Sequence, residues 1–362
     1  MPMNSRERFH ATFRYGQPDR VWRMPQWVFA ETRQRWLNEG MPRDQHFNTY
    51  WGFDRCEVVP INTGPWPPFE EKIVEQTAEW RIVEDELGSQ RKIWTDRGIG
   101  MPQWLSYPVR DRDTWERFKQ RLDPHAPVRY PEYWEDYKRS VRDRDYPLQL
   151  RIGSFYGWIR NWVGMEHLAL WYYDCPDLVR EMTEYVTDFM LTLIDRALTE
   201  IPDIDYAMVW EDMAMKTGSL ISPRTFRDYC MEPMKRTTKL VNEAGIDIIC
   251  LDCDGNVDEL IPIWLEANIN LIYPLEIASN CDPVAYREQF GKDLLLMGGI
   301  DKRIMRDGCS KQAIEDHVRA IVEPLVAQGG YSPFVDHAVP HDVPFENFRF
   351  YMDLIDEITT LA

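Results

Sequence analysis

Cysteine is scarce, and the few there are fall in no pairing pattern. Seven in 362 residues is an odd count, which argues against a disulfide-stapled scaffold and fits reduced thiols in a cytoplasm. Long apolar runs are missing too: no stretch approaches the about 18 consecutive apolar residues of a membrane-crossing helix. The start, Met1-Pro2-Met3-Asn4-Ser5-Arg6-Glu7-Arg8, lacks the apolar core of a secretory signal. Basic side chains are in deficit. There are 42 Lys and Arg against 60 Asp and Glu, a net charge of −18. Such a surface repels a nucleic-acid backbone and an anionic membrane alike, so neither is expected as a partner.

What is present suffices for a large core. A hydrophobic fraction of 44% with 13% aromatics excludes disorder. Area scaling gives burial of about three quarters of the open chain's surface. At about 150 residues per domain the length would make two domains, but α/β barrels exceed that prior as single units.

Residues 1–40 read as helical, with Phe9, Phe13, Val28, Phe29, Trp36 and Leu37 at near-helical spacing around the turn Gly16-Gln17-Pro18-Asp19. The run 56–61 is a candidate first strand. Residues 72–85 and 90–95 alternate polar and apolar on either side of Leu87-Gly88-Ser89, which predicts an antiparallel hairpin. Residues 107–147 are charged and Pro-containing, as exposed helices and linkers are. From 148 onward apolar runs at 148–152, 204–209, 246–251, 269–273, 294–297 and 331–335 alternate with helical segments at 178–198, 226–244, 257–266, 284–290 and 311–327. Continuous apolar strands separated by helices are βαβ units of a parallel sheet. Six units plus one near Cys56 approach the eight that close a barrel. The expected fold is therefore a (β/α)8 TIM barrel over residues 1–362, with N-terminal helices and a hairpin and helical insertion at about 70–147. No G-x-G-x-x-G follows the first strand, which weighs against an open dinucleotide-binding sheet.

Catalytic groups of such barrels follow the strands. After 152 comes Gly153-Ser154-Phe155-Tyr156-Gly157-Trp158. After 209 comes Trp210-Glu211-Asp212, and after 251 comes Asp252-Cys253-Asp254-Gly255-Asn256. Pro274-Leu275-Glu276, Gly298-Gly299 with Asp301, and Asp336-His337 with His341 follow the last three runs. Like charges around one mouth are costly unless a cation or protons neutralise them, and a divalent metal does so cheaply. Asp252 and Asp254 can converge on one ion, His337 can add imidazole, and Glu211 or Glu276 can complete the shell; mixed N/O ligation suits Zn2+ or another divalent metal. Each feature also has a plainer role. Asp254 or Asn256 can cap a helix, Glu211 and Asp212 can pair with Lys216 and Arg224, and His337 can be structural. Cys253 is expected to point into the wall or helix layer, because its sequence neighbours point the other way. Trp22, Trp27, Trp51, Trp66, Trp158, Trp162, Trp171 and Trp210 are core for the most part, but a subset at the mouth would suit a flat or quaternary-ammonium ligand. Trp27, Tyr156, Trp210 and Asp301 are the candidate substrate contacts.

Asn4-Ser5-Arg6-Glu7-Arg8-Phe9 with Gln17-Pro18-Asp19-Arg20-Val21 resembles the N-terminal signature of the uroporphyrinogen decarboxylase superfamily. Leu220-Ile221-Ser222-Pro223, Gly298-Gly299-Ile300-Asp301-Lys302 and Pro344-Phe345-Glu346-Asn347 are similar to its later motifs. The resemblance spans essentially the whole chain. It implies a (β/α)8 barrel but leaves the reaction open between porphyrinogen decarboxylation and corrinoid-dependent methyl transfer. The Arg-Gln-Ala-Gly-Arg loop of true decarboxylases is replaced here by Met24-Pro25-Gln26-Trp27-Val28-Phe29-Ala30-Glu31, so an octa-acid would meet an acidic mouth without its arginine clamp. In the thiol-directed methyltransferases a His-x-Cys-Gly motif and a later Cys hold zinc. Asp252 and Asp254 fall on that His and Cys, and His337 falls near the later Cys. The resemblance thus implies an oxygen-rich, more Lewis-acidic metal that binds a leaving oxygen, in an enzyme that demethylates a small substrate such as a methyl ether. The methyl group would go to a Co(I) corrinoid on a partner protein, with Glu211, Asp212 or His341 able to protonate the leaving group. A homodimer fits the superfamily's habit. A decarboxylase or lyase of a smaller acid, and a non-catalytic tetrapyrrole or corrinoid binder, are the alternative readings.

Overall fold

The computed structural model describes residues 2–95 and 102–360. The stretch 96–101 of the expected insertion lies outside the described residues. In chain order the strands are β1 (Glu57–Val58), β2 (Lys72–Gln76), β3 (Trp80–Glu84), β4 (Gln90–Trp94), β5 (Gln103–Ser106), β6 (Leu148–Arg151), β7 (Tyr206–Trp210), β8 (Ala214–Met215), β9 (Gly218–Ser219), β10 (Ile249–Asp252), β11 (Leu271–Tyr273), β12 (Leu295–Ile300) and β13 (Tyr331–Val335).

Seven of these form one parallel sheet in the order β1-β6-β7-β10-β11-β12-β13, the curled wall of a TIM-like (β/α)8-type barrel. All six apolar runs after residue 148 became strands of it. Between β13 and β1 lies an extended segment, residues 21–28. Its Trp22 carbonyl accepts from Ser332 Oγ at 2.7 Å and its Gln26 Oε1 accepts from the Val335 amide at 3.0 Å. On the other flank the Arg23 carbonyl accepts from the Asp54 amide at 2.9 Å. The gap in the ladder is thus bridged by chain expected to be helical. The helices of this region are instead Ser5–Phe13 and Ala30–Asn38. The first is fixed by Asn4, whose side chain accepts from the Glu7 amide while Glu7 reaches back to the Asn4 amide.

Alternation along the strands sorts the walls. In β7, Ala207 and Val209 belong to the outer core beneath the helices, whereas Tyr206 and Met208 face an inner cluster with Cys250, Leu271, Leu295, Met297 and Phe334. Phe9, Phe13 and Trp22 close that cluster at the end where the strands begin, with Phe9 4.8 Å from the Tyr206 ring and 5.2 Å from Trp22. Helices Pro176–Glu200, Met231–Glu243, Pro283–Phe290, Lys311–Gln328 and Phe345–Thr359 clothe the outside. The expected helix 226–244 is two, Pro223–Tyr229 and Met231–Glu243, divided at Cys230.

The expected hairpin is a four-stranded antiparallel meander, β2-β3-β4-β5. Its first arm is divided by a turn at Thr77, whose Oγ1 accepts from the Glu79 and Trp80 amides at 3.2 Å each, a local bond that competes with a continuous strand. Phe69 stacks on Phe118 at 6.1 Å and anchors the meander to helix Arg112–Lys119. No helix of the described residues is long and apolar enough to cross a membrane.

Candidate functional site

A cavity of about 370 Å³ opens among the C-terminal ends of β6, β7 and β10. It is lined by Thr63, Arg151, Gly153, Trp158, Met208, Trp210 and Asp252. Asp252 enters it because β10 alternates: Ile249 and Leu251 lie in the outer core, and Cys250 lies in the inner cluster. Cys253 faces outward, buried, and its Sγ accepts from the Met213 amide at 3.2 Å. The Asp252 carboxyl makes no hydrogen bond among the described residues. Burial pushes its pKa up to about 7, with Asp254 and Asp212 adding repulsion against the weaker pull of His337 and Arg151. It therefore carries a proton for part of its population at neutral pH.

At the rim His337 Nε2 lies 3.2 Å from Asp254 Oδ2, and its ring is 5.6 Å from the exposed Trp27. The hydrogen bond to Asp254 raises the His337 pKa. The remaining predicted acids are each neutralised separately. Glu211 is closed to solvent and accepts from the Phe155 and Tyr156 amides at 2.8 Å and the Gly157 amide at 3.0 Å. Burial still raises its pKa against those bonds. A Cβ on Gly157 would stand 2.6 Å from the Glu211 carbonyl oxygen, so the loop closes only with glycine there. Asp212 pairs with Arg160 at 2.9 Å, and that guanidinium lies 5.6 Å from the Trp210 ring centre. Lys216 and Arg224, the partners open to Asp212 and Glu211 in sequence, are not used.

Glu276 Oε2 accepts from the Gly255 amide at 3.1 Å and from Ser279 Oγ at 2.9 Å, while Lys302 Nζ stands 3.6 Å from its other oxygen. Lys302 also holds the buried Asp336 at 3.0 Å. Burial raises the Asp336 pKa against the pull of Lys302. Asp301 is bound by Arg303 at 2.8 Å. Tyr156 is buried in the outer core, and His341 is exposed, with its carbonyl accepting from Arg35.

The structure therefore brings Asp252 and Trp210 together in the cavity, and Asp254, His337 and Trp27 at its rim. Glu211, Tyr156, Asp301 and His341 stand apart from the cavity lining. The proposed metal ligands do not fit an ion as they stand: Glu276 is committed to Gly255, Ser279 and Lys302, and among the described residues no three His, Cys, Asp or Glu side chains could hold one. The like-charge problem at this mouth is met by Arg160, Lys302, Arg303, backbone amides and the proton that Asp252 retains. Sequence reasoning missed Arg151, Arg160 and Lys302. For Arg151 the signal was available, since Leu148-Gln149-Leu150-Arg151 alternates and its apolar members face the helices.

The family model described as Uroporphyrinogen decarboxylase (URO-D) matches residues 97–358. Among solved structures, a methyltransferase from Methanosarcina mazei aligns with TM-score 0.59 at 14% identity, covering 98% of this chain and 99% of its own. A B12-independent methionine synthase from Shewanella sp. W3-18-1 aligns with TM-score 0.39 at 11% identity, over 79% of this chain and 72% of its own. No curated protein matches the sequence.

Proposed function

Because the chain belongs to the uroporphyrinogen decarboxylase (URO-D) family, we propose that it is a methyltransferase of that superfamily, which demethylates a small methyl ether or similar substrate in the barrel cavity and passes the methyl group to a Co(I) corrinoid on a partner protein. The observation that carries the reading is Asp252, a carboxyl poised at a pKa of about 7 in a cavity walled by Trp158, Trp210 and Met208. A general acid works best when its pKa lies near the operating pH. The reduced corrinoid would supply the nucleophile when its carrier docks.

The chain's own part is to bind, orient and protonate. Trp158, Trp210 and Met208 hold the apolar body of the substrate and exclude water. The heteroatom–methyl bond breaks with its electron pair going to the heteroatom, and the acceptor's pair forms the new bond to carbon. Asp252 delivers its proton to the heteroatom and is later reprotonated from solvent. Arg160 holds Asp212 in an ion pair at 2.9 Å, which turns that carboxylate away from the substrate's heteroatom. The test is incubation with reduced cobalamin and a panel of CD3-labelled ethers, amines and thioethers, read by mass spectrometry of the corrinoid. Label transfer from at least one donor is expected; a folded protein that transfers none contradicts the reading. A second reading, decarboxylation of an acid smaller than uroporphyrinogen, is favoured by the Arg151 guanidinium in the cavity, and release of CO2 without methyl transfer would establish it.

A further inference from the structure

The cations at the barrel mouth are not equivalent. Arg160 is paired with Asp212, Lys302 with Asp336 and Glu276, and Arg303 with Asp301. Arg151 has no ion-pair or hydrogen-bond partner among the described residues, although it lines the cavity of a chain with net charge −18. Its position is fixed by register. Arg151 pairs with Met208 on β7 and ends β6 on the face opposite Leu148 and Leu150. A guanidinium offers donors in a planar fork that matches a carboxylate. Exposed at the end of β6 and lining the cavity, this fork is open to a ligand in a surface otherwise rich in carboxylates.

We infer that Arg151 is the anchor for a carboxylate group on the substrate, so that the enzyme acts on a small organic acid bearing the methylated heteroatom. The inference rests on the methyltransferase reading for the methyl group, but not for the acid. The cavity sets the rest of the substrate class. Its volume of about 370 Å³ lies near the lower end of the about 300–1,000 Å³ usual for small-molecule sites, which fits one ring or a short chain. Trp158, Trp210 and Met208 offer apolar walls to the middle of the molecule, and Asp252 faces the same space. A molecule whose carboxylate sits on Arg151 presents its body to the tryptophans and leaves its far heteroatom for Asp252.

Binding alone tests this, without any methyl acceptor. The probes are 4-methoxybenzoate, methoxyacetate and the neutral 4-methoxybenzamide, titrated against tryptophan fluorescence and by calorimetry. At least one acid is expected to bind the native protein, and 4-methoxybenzoate about 10- to 100-fold more tightly than its amide, the range of a charge-assisted pair. Arg151→Gln should erase that preference, and Arg151→Lys should keep part of it. Equal binding of acid and amide, preference retained in Arg151→Gln, or no acid bound up to about 10 mM would overturn the inference. Far-ultraviolet circular dichroism and the melting temperature separate loss of the anchor from loss of fold. Where acids bind through Arg151 but no label reaches cobalamin, the anchor stands and the methyl-transfer reading fails.

Discussion

Asp252→Asn should stabilise the protein, and by an amount that depends on pH in a defined way. The carboxyl titrates near 3.8 when the chain is unfolded and near 7 in the fold. Below about pH 4 both states hold the proton, and the group contributes nothing to the pH dependence. Between those two values the unfolded chain releases its proton while the folded one keeps it, so native stability falls steadily; above about pH 7 both are ionised and the deficit is constant. At about 1.4 kcal/mol per pH unit the full deficit is about 4 kcal/mol. Because the carboxyl faces a cavity that water enters, we take about 2 kcal/mol as the working figure. Asparagine keeps the shape and cannot ionise. Urea unfolding of both proteins from pH 4.5 to 8.5 should show a gap that is small at the acid end, widens toward pH 7 and then levels. Parallel stability curves, or a gap that shrinks as pH rises, would refute the assignment of a half-buried, proton-bearing acid to this position.

Other consequences follow from the neutralising partners. Glu211→Gln presents an NH2 group to a ring of backbone amides and should cost about 3 kcal/mol of unfolding free energy; a loss below about 1 kcal/mol would show that the amides are satisfied otherwise. Lys302→Met strands the buried Asp336 and should cost about 2–3 kcal/mol, read by the same denaturant midpoint. Asp254→Asn should lower the His337 pKa in an NMR titration. Since that pKa is raised by the pair, the pair's stability is present below about pH 6.5 and lost as pH rises through the folded value, so variant and native protein should converge at alkaline pH, from a gap of about 0.5 kcal/mol.

The barrel was legible because its strands are buried on both faces, and such runs as 331–335 and 269–273 stand out from the helices between them. Boundaries slipped where local hydrogen bonds intervened, as at Thr77. Residues 21–28 fall within the stretch 1–40 expected to be helical, yet tertiary bonds to Ser332, Val335 and Asp54 hold them extended. The acids after the strands were equally visible in sequence. Their neutralisers were not, because Arg160 is 52 residues from Asp212 and Lys302 is 34 from Asp336. Pairings across such spans are decided by the barrel's closure. Without them a metal was the simplest way to gather the charges, whereas the fold gives most of the acids a partner of their own. Among the described residues it leaves Asp252 without a hydrogen bond and Arg151 without an ion pair at close range.

The most direct test of the account is the pH dependence of a single methyl-transfer turnover, from a CD3-labelled donor to reduced cobalamin, in native protein and in Asp252→Asn. The native rate should fall about tenfold per pH unit above about pH 7, and the variant should be slower by about 10²- to 10⁴-fold with no break near 7. An Asp252→Asn protein that transfers the methyl group at the native rate would contradict it.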